Sequence, residues 1–121
     1  IEVRGIDISQ YAIDKSVEDI KPYLNVGNAK NLPYNNNSFD LVISINTIHN
    51  FEKSNCIQAL KEIERVSKGH SFIVVDAYRN NEEKERIDAW NLTALTYLHV
   101  NEWVVLFNEA GYTGDYYWFI L

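Results

Sequence analysis

The chain has no methionine, one cysteine (Cys56) and only five glycines, at positions 5, 27, 69, 111 and 114, no two of which form G-x-G. A lone cysteine excludes an internal disulfide framework and fits a reducing, cytoplasmic setting. Without a G-x-G there is no glycine-rich loop of the kind that lets backbone approach a bound ligand closely. Positive charge is also scarce: 11 Lys and Arg stand against 17 Asp and Glu, for a net charge of -6, and the basic residues are scattered. No basic cluster is present to contact phosphates, which argues against nucleic acid as a partner. No apolar run approaches the roughly 18 residues of a membrane span, so no membrane partner is expected and the chain is read as soluble. G-x-S-x-G, H-E-x-x-H and paired cysteines are missing, and His70 and His99 lack ligand partners at metal spacing. Neither a hydrolase triad nor a metal site is therefore expected.

What remains is a globular composition, 46% hydrophobic and 13% aromatic over 121 residues, which suits one domain spanning 1–121. The chain opens inside an apolar strand, Ile1 to Ile8, with no initiator Met, and reads as an N-terminally truncated domain.

The stretch 32–51, LPYNNNSFDLVISINTIHNF, organises the rest. Pro33 and the run Asn35, Asn36, Asn37, Ser38 are turn chemistry, because Pro fixes φ and Asn tolerates the left-handed region. Phe39 to Ile45 is an apolar, β-branched run, expected as a strand covered on both faces in a parallel sheet. Asn46, Thr47, His49 and Asn50 follow at its carboxyl end, where ligands of open α/β sheets sit.

The other segments alternate in the same way. A first strand ends at Asp7-Ile8-Ser9, with Ser9 as helix N-cap, a layout in which a carboxylate can accept hydrogen bonds from ribose hydroxyls. The plain alternative is that Asp7 only starts the turn. Tyr11 to Ile20 has the spacing of an amphipathic helix that Pro22 ends. Tyr23 to Gly27 reads as a short strand closed by Asn28 and Ala29. Ser54 to Lys68 carries Ile57, Leu60, Ile63 and Val66 on one stripe, with Gly69 as its C′ residue. Ser71 to Asp76 is a buried strand whose end, Tyr78 and Arg79, lies on the side of Asn46 and His49. Asn81 to Tyr97 is charged and then aromatic; it reads as a layer helix, with covering of a cleft as the alternative. Asn101 is placed as N-cap of a helix to Ala110, which Gly111 ends, and Tyr116 to Leu121 closes the sheet. The pattern is α/β with a largely parallel sheet.

Leu-Pro-Tyr, a polar turn, Ser-Phe-Asp-Leu-Val-Ile-Ser and an apolar-His segment, followed by a helix, Glu-Ala-Gly-Tyr and a strand, resemble the class I S-adenosylmethionine-dependent methyltransferases that act on small molecules. The resemblance spans essentially the whole chain. It implies a three-layer αβα Rossmann-like core with the first βα unit and its glycine-rich loop missing, so that only the ribose and adenine half of the cofactor site is carried. It implies S-adenosyl-L-methionine as cofactor, with Asp7 and Ile8 at the ribose, Asn28 and Ala29 at the adenine, and Ile45 and Asn46 beside it. Asn28 stands where the family usually has Asp; an amide still accepts through its oxygen.

His49 is the candidate general base or substrate hydrogen-bond partner, and Asn46, Tyr78, Arg79 and Trp90 are candidate substrate contacts. In the family's strand order the missing strand would lie between those ending at Asp7 and Ile45. Those two edges are therefore expected to pair with each other or with a second chain, as in a homodimer. Two other functions remain open: a nicotinamide-dependent oxidoreductase fragment, whose ribose would use the same acidic residue, and a non-catalytic binding fragment.

Overall fold

A computed structural model describes residues 1–121. Along the chain run β1 (Gly5–Asp7), α1 (Gln10–Asp14), β2 (Leu24–Val26), β3 (Val42–Ile45), α2 (Lys53–Val66), β4 (Ser71–Tyr78), α3 (Asn81–Trp90), β5 (Leu98–His99), α4 (Val100–Ala110) and β6 (Asp115–Phe119). Every strand pair is parallel, in two separate sheets. β1 pairs with β2, and β4 is the hub of a four-stranded sheet in which β3, β5 and β6 all hydrogen-bond to it. Parallel pairing needs a crossover between strands, and the intervening helices supply it. The result is the α/β arrangement with parallel pairing expected from the alternating pattern, and it agrees with the Rossmann-like core that the resemblance implies.

Register shows which face of the larger sheet is the core. Ile43 pairs with Phe72, Ser44 with Ile73 and Ile45 with Val74, while Ile73 pairs with Tyr116 and Val75 with Trp118. Residues in register share a face, so Ser44, Ile73, Val75, Tyr116 and Trp118 face one way. There α2 delivers Cys56, Ala59, Leu60 and Ile63, and α4 delivers Trp103, Leu106, Phe107 and Ala110. Phe107 stacks between Trp103 and Trp118, with ring centroids 5.8 and 5.9 Å away. A side chain as fully buried as Leu60 contributes about 1.5–3 kcal/mol.

The opposite face carries Ile43, Ile45 and Tyr117, which are 58%, 50% and 64% exposed. The expectation that 39–45 would be covered on both faces is thus corrected. No helix packs over these side chains, and β3 has β4 on one edge only. Nor do the edges of β1 and β3 pair with each other. The segment between the sheets is instead tied to α2: Glu62 accepts the Leu32 N–H at 2.9 Å, and Arg65 donates to the carbonyls of Leu32 (3.0 Å) and Tyr34 (2.7 Å).

Several boundaries differ from the sequence reading for local reasons. α1 stops at Asp14 rather than Ile20. Only Ile13 on its apolar side is buried, Val17 stays 67% exposed, and the Ser16 hydroxyl donates to the Ala12 carbonyl. A helix this short, with so little apolar surface to bury, has no reason to extend. Pro22 then sits in a 3-10 turn (Lys21–Tyr23). α2 ends in an extended Ser67, so Gly69 (φ +116°) lies beyond the C′ position. α4 is capped by His99, not Asn101: the His99 Nδ1 accepts the Asn101 N–H at 3.1 Å, while Glu102 reaches back to the His99 N–H. Gly111, at φ +69°, ends α4 in the left-handed region that favours glycine. No helix is long and apolar enough to cross a membrane.

Candidate active site at the carboxyl ends of the central strands

β3 ends at Ile45, and the next residue, Asn46, turns the chain with a left-handed φ of +52°. Asn takes that conformation more readily than β-branched or bulky residues. The Asn46 N–H still reaches the Val74 carbonyl at 3.0 Å, as the last rung of the ladder. A 3-10 turn (Ile48–Asn50) follows, anchored by Ile48 in the core and by the Cys56 Sγ, which donates to the Ile48 carbonyl at 3.1 Å. This turn carries His49 back over the end of β4.

β4 outruns β3 by several residues, which leaves the Asp76 N–H without a strand partner on that side. The His49 Nδ1 takes the place of a carbonyl and accepts it at 3.1 Å. An imidazole nitrogen that accepts a hydrogen bond carries no proton, so the ring proton of neutral His49 is on Nε2. Nε2 lies 3.7 Å from Asp76 Oδ2, too far for a hydrogen bond. His49 and Asp76 are each only 4% exposed. Burial pushes the imidazole pKa down, against a weaker upward pull from the Asp76 charge. Burial likewise pushes the Asp76 carboxyl up, against the pull of His49. The Asp76 backbone has a second side-chain partner, since the Trp103 Nε1–H donates to its carbonyl at 2.9 Å.

The pair forms one wall of a cavity of about 240 Å³ that Asn46 also lines. The facing wall is Trp90, Asn91, Leu92 and Thr93, with Phe119 from β6 closing one side. α3 ends at Trp90 rather than running to Tyr97. Asn91 turns the chain by bonding both the N–H and the carbonyl of Ala94, and the N–H groups of Leu95 and Thr96 dock on the His49 carbonyl at 3.0 Å each. Covering of a cleft, the alternative for 81–97, is therefore what residues 90–93 do.

Of the expected site residues, Asn46, His49 and Trp90 come together in this cavity. Tyr78 and Arg79 do not line it: the Tyr78 ring meets His99 edge-on, and the Arg79 guanidinium pairs with Glu83 on α3. Asp76, Asn91, Leu92, Thr93 and Phe119 were not singled out in the sequence. An acidic residue at the end of the apolar run Phe72-Ile73-Val74-Val75 was the one signal that could have marked Asp76. No group of three His, Cys, Asp or Glu comes together as a metal would need.

The expected cofactor residues lie at loop ends. Asp7 closes β1, exposed, and its Oδ1 accepts the Ser9 N–H at 2.8 Å, which is the turn-starting role. Its Oδ2 receives no hydrogen bond within the chain, so one acceptor is free for a ribose hydroxyl. Ile8 beside it is 70% exposed. The Asn28 Oδ1 accepts the Lys30 N–H at 2.9 Å and keeps a second lone pair. Ala29 packs against the core, and Ile45 is half exposed. The free Asp7 Oδ2 and the remaining lone pair of Asn28 Oδ1 are acceptors of the kind that ribose hydroxyls and an adenine amino group need.

A family model described as a methyltransferase domain matches residues 1–75. No curated protein matches the chain. Among solved structures, a protein from Pyrococcus horikoshii OT3 is 38% identical with a TM-score of 0.52, over 57% of this chain and 35% of that one. A protein from Thermotoga maritima, named as a SAM-dependent methyltransferase and possible histamine N-methyltransferase, is 21% identical with a TM-score of 0.57. That match covers 92% of this chain and 64% of the other. The chain thus spans from about a third to just under two thirds of the length of these relatives. With more than half of its residues inside the family match and the parallel α/β core shared with these structures, the chain belongs to the methyltransferase-domain family and has its class I, Rossmann-like fold.

Proposed function

We propose that the protein transfers the methyl group of S-adenosyl-L-methionine to a small molecule seated in the cavity between His49, Asp76 and Trp90. The observation that carries this reading is the cavity itself. In a methyltransferase-family chain, a space of about 240 Å³ opens at the carboxyl ends of β3 and β4, where ligands of such sheets bind. It is smaller than the roughly 300–1,000 Å³ that accommodate drug-sized ligands, which suits a compact acceptor.

The cofactor, when bound, supplies an electrophilic methyl on a good leaving group, so the protein's task is alignment and exclusion of water. Asp7 would accept from the ribose, with Ile8 beside it. Asn28 and Ala29 would meet the adenine, with Ile45 and Asn46 along the approach to the acceptor. His49, with its proton on Nε2, is arranged to donate a hydrogen bond into the cavity rather than to take a proton from it.

Calorimetric titration with S-adenosylhomocysteine tests the cofactor assignment. The chain should bind it, and Asp7→Ala should weaken binding by about ten- to a hundredfold, the value of a hydrogen bond to a charged group. A folded chain without affinity, or one indifferent to Asp7→Ala, would remove Asp7 from the site.

A further inference from the structure

We infer that the cavity is built for a compact amine, held as its ammonium by the Asp76 carboxylate. This rests on the reading of the cavity as the acceptor site and adds the acceptor's chemical class.

Asp76 is 4% exposed, yet neither of its carboxylate oxygens receives a hydrogen bond from the chain. His49, the one charged or titratable neighbour, stands 3.7 Å away with its Nδ1 already committed to the Asp76 N–H. A carboxylate largely buried and given no hydrogen-bond donor by the chain is costly to keep charged, and a cation with N–H donors of its own, entering by the cavity that Asp76 lines, is the ligand that relieves the cost.

Nothing in the cavity competes for that role. The groups facing Asp76 are Asn46 from the end of β3, His49 from the 3-10 turn, Trp90 to Thr93 from the end of α3 and Phe119 from β6, and none is Lys or Arg. Trp103 of α4 packs against the backbone of Asp76, not its carboxylate. The Trp90 and Phe119 rings, with centroids 5.9 Å apart, present aromatic surface that also favours a cation.

An anionic acceptor would place like charge beside Asp76, and a neutral alcohol would leave the charge unpaired. The carboxylate could also ready the amine: one N–H bond breaks, an O–H bond forms on Asp76, and the electron pair stays on nitrogen, which is then a nucleophile.

The test uses 2-phenylethylamine, cationic at neutral pH, against its neutral analogue 2-phenylethanol, followed by NMR on the chain. The amine should bind about ten- to a hundredfold more tightly than the alcohol, and Asp76→Asn should erase that preference. In the unsubstituted chain the Asp76 carboxyl carbon signal should shift on addition of amine and not of alcohol, a readout that stands even if Asp76→Asn folds poorly. Equal binding of the two compounds, no binding of the amine, or a preference that survives Asp76→Asn would overturn the inference.

S-adenosylhomocysteine is titrated in parallel. Cofactor binding without amine binding defeats the amine assignment alone, whereas amine binding without cofactor binding defeats the methyl-transfer reading and leaves the ammonium site standing.

Discussion

The imidazole of His49 accepts the backbone N–H of Asp76 through Nδ1 at 3.1 Å, and the same ring places Nε2 3.7 Å from the carboxylate of that residue. One side chain therefore completes the hydrogen bonding of a strand that has outrun its neighbour and also turns a donor toward a cavity.

This geometry sets the titration of His49. Its pKa lies below the ordinary 6.5 because burial outweighs the Asp76 charge. Asp76→Asn removes the one upward influence, so the His49 pKa should fall further. A long-range proton–nitrogen spectrum should show the Nε2–H tautomer in both proteins. A rise of the pKa in the variant, or an Nδ1–H tautomer, would contradict the arrangement.

Stability should follow pH with a definite sign. Between the lowered folded pKa and 6.5 the unfolded chain binds more protons at His49, so stability is full above 6.5 and is lost as pH falls through that window. Asp76 runs the other way: its folded pKa is above 3.8, so acidification from the folded value down to 3.8 restores stability. Urea unfolding should therefore show a loss below pH 6.5 that His49→Gln abolishes. An unchanged pH profile in that variant would assign the loss to another group.

Trp103→Phe should cost about 1–3 kcal/mol, through the lost Nε1–H bond to the Asp76 carbonyl and the gap left in a fully buried site. It should also weaken amine binding, because it frees the backbone that aims the carboxylate. Chemical denaturation gives the first number and NMR titration the second; a destabilised variant with unchanged amine affinity would show that the two are not linked.

Gly111→Ala should destabilise by about 1–2 kcal/mol, since φ +69° brings a Cβ toward the following carbonyl. Thermal unfolding measures it, and the cavity, which Gly111 does not line, should bind as before.

Arg65→Lys should loosen the segment after β2. A lysine cannot reach the Leu32 and Tyr34 carbonyls and Glu62 at once as the guanidinium fork does. Hydrogen exchange at the Leu32 N–H, which Glu62 accepts, should quicken. Unchanged protection would mean that Glu62 holds the segment without Arg65.

The sequence by itself determined the alternation of strand and helix and the parallel sheet, because apolar periodicity and turn residues are local signals. It also placed Asn46 and His49 at the end of β3, since the run 39–45 and the polar residues after it can be read without knowing their neighbours. Tertiary structure decided the rest. Which face of β3 is buried depends on what lies beside it, and here Ile43 and Ile45 face no helix. α1 and α3 end early because helix length follows available burial more than spacing. The pairing of His49 with Asp76, 27 positions apart, exists because β4 extends past β3 and leaves an N–H to be satisfied. That requirement arises only once the strands are side by side.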